Sequence, residues 1–199
     1  MRILVVGATG TLGTAVVNEM KNDAEIISAS KSNSDIKVDI TSTDSILQMF
    51  KEVGEIDAIV SATGAAHFGG VEELTPELNS IAVNSKLLGQ INLVLLGLPY
   101  IRDNGSITLT TGILMDDPVV GGASSAMANG GVRAFVKSAS IEMPRGIRIN
   151  SVSPNMLEES KEKYGSFFVG FEPVPAKRAA LAFRKSILGA QTGQSYYVY

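Results

Sequence analysis

Ile3-Leu4-Val5-Val6-Gly7-Ala8-Thr9-Gly10-Thr11-Leu12-Gly13 decides the fold of this chain. Four apolar residues run straight into a glycine loop, and Leu12, Ala15, Val16 and Met20 then recur at helical spacing. A short, continuously apolar run before a glycine loop reads as a strand buried on both faces. The three glycines serve a tight turn, a close approach of backbone to a pyrophosphate, and contact between helix and strand. The free N–H groups and positive dipole end at the helix start attract phosphate. The stretch therefore predicts a strand-loop-helix unit that holds a dinucleotide through Gly7, Thr9, Gly10, Thr11, Leu12 and Gly13. A packing turn uses glycines in the same way, but strand before, helix after and position near the N-terminus favour the cofactor.

Outward from this unit the chain alternates. Asn22-Asp23 breaks the first helix, and strands are predicted over 25–30 and 36–40. Thr41 and Ser42 cap a helix that carries Ile46, Leu47, Phe50 and Val53, and a buried-type strand follows over 56–60. Thr75-Pro76 starts a long helix reaching about Tyr100, and Asn104-Gly105 turns into a strand over 106–111. After a loop rich in proline and glycine come a helix over 124–143, a strand over 148–152, a helix over 176–187 and a last strand over 195–199. Strands alternating with helices of this length imply a parallel, doubly wound sheet of Rossmann type. One three-layered α/β domain over residues 1–199 is expected, and a composition that is 45% hydrophobic suffices for its core.

Composition narrows the chemistry. With no cysteine and a single His67, thiolate and zinc chemistry are not expected. A net charge of −3 without basic clusters argues against nucleic acid as a partner. No apolar run approaches the roughly eighteen residues of a membrane span, and the N-terminus lacks a signal peptide's cleavage region. A cytoplasmic protein with no membrane partner is expected.

Several motifs, in order from Arg2 to the C-terminus, resemble those of the short-chain dehydrogenase/reductase family. Besides the glycine loop, Val38-Asp39-Ile40 resembles the Asp-Val pair that holds adenine in that family, and Ser61-Ala62-Thr63-Gly64 stands where the family has Asn-Asn-Ala-Gly. The stretch from Gly146 to Asn155 resembles the one that ends in Pro-Gly beside the nicotinamide, with Pro154 and Asn155 at that pair. The Gly-x-x-Gly-x-x-Gly spacing of the loop is that of the family's atypical and extended members. The resemblance implies cofactor contacts from Asp39, Ile40, Ala62, Thr63, Gly64, Pro154 and Asn155, besides the loop itself.

The catalytic pattern departs from the family. Its Tyr-x-x-x-Lys falls on Ser125-Ala126-Met127-Ala128-Asn129, so neither phenol nor ammonium is present there. A serine hydroxyl has no accessible pKa near neutrality, whereas a phenol near 10 is pulled down by an adjacent cation. The family's serine maps to Thr111, or to Thr110 in a register slipped by one, and threonine keeps the hydroxyl. The family's asparagine maps to Lys86; Asn84, two residues earlier, lies roughly 200° around a helix and cannot face the same site. Lys86 and Asn129 either exchange partners across the cofactor site or are ordinary helix residues, and the sequence leaves both readings standing. Thr111, Lys86, Ser125 and Asn129 are the candidate catalytic residues.

Other candidates are weaker. His67 follows the fourth strand at the rim where substrate lies in such folds, and Tyr164 falls in the covering segment as either a surrogate phenol or an aromatic anchor. Phe167, Phe168 and Phe171 in that segment imply a small apolar-lined pocket. Ser30-Lys31-Ser32 after the second strand presents a cation where an acid would bond the ribose 2′-OH of NAD, which favours NADP; Asp35 keeps NAD open. Two functions follow. One is an NADP(H)-dependent oxidoreductase acting on a small carbonyl or alcohol through a non-standard site. The other is a dinucleotide-binding redox sensor or regulatory protein without catalysis. A homodimer or homotetramer is expected, because the long helix is apolar nearly all round and Gly130, Gly131, Ala134 and Ala139 permit a close neighbour.

Overall fold

β1 (Arg2–Val6) pairs in parallel with β2 (Glu25–Ser30) on one side and with β4 (Ile56–Ser61) on the other, and this branching sets the architecture. The computed structural model describes all 199 residues, and its seven strands follow the order β3-β2-β1-β4-β5-β6-β7 with every pairing parallel. The remaining strands are β3 (Ile36–Lys37), β5 (Ile101–Thr110), β6 (Arg148–Pro154) and β7 (Ser195–Val198). The chain order reverses between β1 and β4, so a crevice opens beyond their carboxyl ends, where ligands bind in sheets of this kind.

The sheet divides the core in two. Leu4, Val6, Ile59, Ile107 and Leu109 meet α2 (Thr43–Val53), α4 (Gln90–Gly97) and α5 (Ala123–Ala139) on one face. Ile3, Val5, Val60 and Val152 meet α1 (Thr11–Met20) and α7 (Ala176–Leu188) on the other. Ser42 caps α2 by accepting from the Ser45 amide, and Thr75 caps α3 (Pro76–Ile81) by accepting from Leu78. A third, small cluster of Ile113, Leu114, Met156 and Phe168 lies beneath the covering segment that contains α6 (Lys161–Tyr164).

Three elements differ from expectation. β3 stops at Lys37, because Asp39 turns its carboxylate onto the amide and hydroxyl of Thr41 and bends the chain. β5 begins at Ile101 and carries the Asn104-Gly105 turn as an irregularity inside the strand, with Asn104 at φ 61°. α5 ends at Ala139, four residues short of Met143, and turns then lead to Pro144.

The long helix is one continuous run from Pro76 to Tyr100, yet its middle, Ala82–Gly89, is wound as a π-helix between α3 and α4. An 18-residue window within it has a mean hydropathy of 1.4, so the helix is long and apolar enough by composition to cross a membrane, contrary to the expectation that no apolar run approached that length. Polar residues such as Asn84, Lys86 and Gln90 interrupt the apolar run. In the fold the helix lies on the sheet, burying Ala82, Leu93, Val94 and Gly97.

Candidate functional site

The glycine loop is held by backbone. The amide of Gly7 donates to Ala29, that of Ala62 to Val6, and that of Gly10 to Gly7, so the carboxyl ends of β1, β2 and β4 are tied together. Gly7 has φ 86°, and a Cβ there would lie 2.5 Å from the carbonyl oxygen of Ala62. A Cβ on Gly13 would collide with the carbonyl of Gly7. Gly10 differs: its Cβ would meet only that same oxygen, at an ordinary 3.4 Å. The protein thus requires glycine at 7 and 13 for its own packing but not at 10, where the open side faces a groove lined by Thr9, Thr11 and Thr14 on one wall and Glu159, Ala176 and Lys177 on the other. The amides of Thr11, Leu12 and Gly13 find no backbone acceptor. A phosphate fits this cradle, because it needs both close backbone approach and free donors.

Beyond β2, the acid and the cation are both engaged. Asp35 accepts from the amide and hydroxyl of Ser28 at 2.9 and 2.7 Å, which holds its carboxyl below the usual range. Lys31 lies 3.5 Å from Asp39 in an exposed ion pair. The Ser30 hydroxyl is spent on the carbonyl of Ser32, and the exposed Ser32 and Lys31 are the remaining donors. Ile40 is buried under Gly89 of the long helix. Ala62 and Thr63 pack against Gly7, and Gly64, at φ 127°, lets the backbone pass against Lys86.

The other predicted residues converge. Lys86, Thr111, Ser125, Asn129, Pro154 and Asn155 line one cavity of about 140 Å³, contributed by the π-helical segment, the end of β5, α5 and the end of β6. Lys86 is half-buried and makes no hydrogen bond or ion pair through its ammonium, and burial pushes its pKa down to about 8. Asn84, two residues earlier, is exposed. The Oδ1 of Asn129 is buried with no partner. The Thr111 hydroxyl contacts the carbonyl of Val152 at 3.2 Å, while Thr110 turns its own onto the carbonyl of Ser61, away from the cavity. Asn155 holds the covering segment by donating to the carbonyl of Glu172.

His67 and Tyr164 do not line this cavity. The His67 ring lies over Gly69, and Tyr164 packs on Phe68, ring centroids 5.4 Å apart, so it anchors the covering segment. Sequence reasoning missed Gln90. Fully buried, it donates to the carbonyls of Lys86 and Thr110 and accepts from the amide of Thr110, each at 2.8 Å, and so clamps the π-helical segment to the end of β5. A lone amide within Leu87-Leu88-Gly89-Gln90-Ile91 was the available signal. Phe68 and Phe168, which close the cavity from two different loops, were also missed as a pair.

Comparison with known proteins agrees with the fold. A family model described as enoyl-(acyl carrier protein) reductase matches residues 7–185. The crystal structure of the protein lin1944 from Listeria innocua is 61% identical over the whole of both chains, with a TM-score of 0.99. A small-chain dehydrogenase in complex with NADPH is 22% identical, covering 100% of this chain and 96% of its own, at a TM-score of 0.87. The aldohexose dehydrogenase of Thermoplasma acidophilum, in ligand-free form, is 18% identical over 99% and 91%, also at 0.87. The latter two share the fold. No curated protein matched.

Proposed function

The chain belongs to the short-chain dehydrogenase/reductase family, and we propose that within it the protein binds NADP(H) along the carboxyl edge of the sheet and interconverts a small carbonyl compound and its alcohol. The observation that carries this reading is the convergence of Lys86, Thr111, Ser125 and Asn129 on one cavity beside Pro154 and Asn155. When bound, the cofactor supplies or takes up hydride at the substrate carbon. The protein's own part is to place the oxygen and carry its proton. Thr111 and Ser125 offer hydroxyl donors, and Lys86 is the one titratable group in the lining, with an ammonium pKa of about 8 that suits proton exchange near neutrality.

Phosphates fit the cradle of Gly10 and the free amides of Thr11, Leu12 and Gly13. Preference for NADP rests on Lys31 and Ser32: an exposed ion pair such as Lys31–Asp39 is worth about 0–1 kcal/mol and yields readily to a 2′-phosphate. Asp35, folded back on Ser28, is withdrawn from the ribose. The NADPH complex of a similarly folded dehydrogenase supports the same choice.

NADPH oxidation followed by absorbance against a panel of small aldehydes and ketones tests the reading. Turnover that falls by about 10²–10⁴ in Lys86→Ala and Thr111→Val is expected. The absence of the phenol and lysine at Ser125 and Asn129 favours a second reading, a dinucleotide-binding sensor; tight NADPH binding with no turnover on any member of the panel would select it. A homodimer is proposed as well. Ile81, Leu88 and Leu95 of the long helix and Met127 of α5 are exposed apolar side chains. Gly130 is open, whereas Gly131 and Ala139 are used within the chain. Light scattering is expected to give a multiple of 21.0 kDa.

A further inference from the structure

We propose that the cavity at Lys86 recognises a small carboxylate, so that the substrate is an acid bearing the reacting carbonyl or hydroxyl. This inference rests on the dinucleotide-binding reading for its setting and adds the substrate class.

Charge comes first. Of the twelve residues that line the cavity, Lys86 alone is charged, and no Asp or Glu is among them. No ion pair reaches the ammonium. A partly buried cation without a counter-charge is costly, and proteins seldom keep one unless a ligand neutralises it. The cofactor does not meet that need, because the nicotinamide ring is neutral or cationic and its ribose is neutral.

Hydrogen bonding adds a second, independent observation. Asn129 is 2% exposed, and its Oδ1 has no donor. Ser125, one helical turn away and 6% exposed, makes no hydrogen bond within the chain. A ligand that completes this site must offer acceptors to Lys86 and to a hydroxyl, and a donor to Asn129. A hydroxy acid does so with its carboxylate and its hydroxyl; the corresponding oxo acid meets the ammonium and a hydroxyl with its carboxylate and keto oxygen and brings no donor for Asn129.

Size and surroundings set the limits. The cavity is small, about 140 Å³, below the roughly 300–1,000 Å³ of pockets for drug-sized ligands. Phe68, Leu114, Met156 and Phe168 make the remaining walls apolar, so the rest of the acid is a short hydrocarbon. Phe68 meets Phe167 with tilted rings, centroids 5.2 Å apart, and Phe167 borders a separate groove with Val119, Val169 and Phe171.

Binding, read without turnover, tests the proposal on the full chain saturated with NADP. The probes are 2-oxopropanoate and 3-oxobutanoate against their primary amides, with dissociation constants from calorimetry and the Lys86 ammonium followed by NMR. The acids are expected to bind at least about tenfold more tightly than the amides, and to raise the pKa of Lys86. Lys86→Met should bring the ratio to about one, while Lys86→Arg should keep it. Asn129→Asp, which sets an acid beside the ammonium, should expel the acids in a protein that keeps its lysine. Amides binding as well as acids, or acid binding untouched by both Lys86→Met and Asn129→Asp, would overturn the proposal. NADPH consumption is measured separately. Lys86-dependent acid binding without NADPH oxidation supports the carboxylate site and removes the enzymatic reading; oxidation that prefers the neutral amides does the reverse.

Discussion

Replacing Lys86 by methionine is expected to stabilise the folded protein. Burial pulls this ammonium from 10.5 to about 8. At about 1.4 kcal/mol for each tenfold in proton affinity, that difference amounts to about 3 kcal/mol that the folded state gives up while Lys86 is charged. The sign follows from linkage. Below about pH 8 the group is protonated in both folded and unfolded chains, and the full cost is present. Between about 8 and 10.5 the unfolded chain holds the proton and the folded one has released it, so stability rises with pH; above 10.5 the cost is gone. Methionine keeps the unbranched stem that packs on Gly64 and removes the charge. Urea unfolding of both proteins at pH 7 and pH 10 is the assay. A variant more stable by about 3 kcal/mol at pH 7, with the gap shrinking to about 1 kcal/mol at pH 10, is expected. Equal stability at pH 7, or a gap indifferent to pH, would refute the idea of a desolvated, unpartnered cation.

Gly10→Ala should fold normally and bind NADPH at least tenfold more weakly, whereas Gly13→Ala should lose stability outright; thermal melts beside calorimetry separate the two, and a well-folded Gly13→Ala would contradict the loop packing. Lys31→Ala is expected to weaken NADP about tenfold and leave NAD unchanged, and equal effects on both cofactors would remove Lys31 from the 2′-phosphate. Gln90→Leu leaves the amide and carbonyl of Thr110 without their side-chain partner, at about 1–3 kcal/mol each, and denaturant midpoints should fall accordingly.

Much of this molecule was legible because its signals are local. The run Ile3 to Val6, the glycines that follow and the apolar spacing of α1 and α2 report backbone state directly, so sheet and helices could be placed from them. The motif register also placed Lys86, Thr111, Ser125 and Asn129 close enough together to be candidates, and the structure sets all four on one cavity. What stayed hidden depends on distant pairing. The π-helical winding of Ala82–Gly89 has no composition of its own, since the same residues suit an α-helix. The return of Asp35 to Ser28, the pairing of Lys31 with Asp39 and the stacking of Phe68 on Tyr164 join loops that only the folded sheet brings together. Gln90 went unread because its partners at Thr110 lie on a strand that follows it in the chain.

That glutamine also sets the two sides of the site apart. By gripping both the Lys86 carbonyl and the end of β5, Gln90 joins the helix and the strand in one frame, and the backbone that carries Lys86 and Thr111 is set in register before any ligand arrives. The opposite wall is held differently: Phe168 rests on aromatic contacts and local backbone bonds, while Asn155 donating to Glu172 and the Ala176 amide donating to Glu159 tie the covering segment down. The cavity therefore has two unlike sides, one a frame of helix and strand joined through a buried amide and the other an aromatic cover laid on it from the chain after β6.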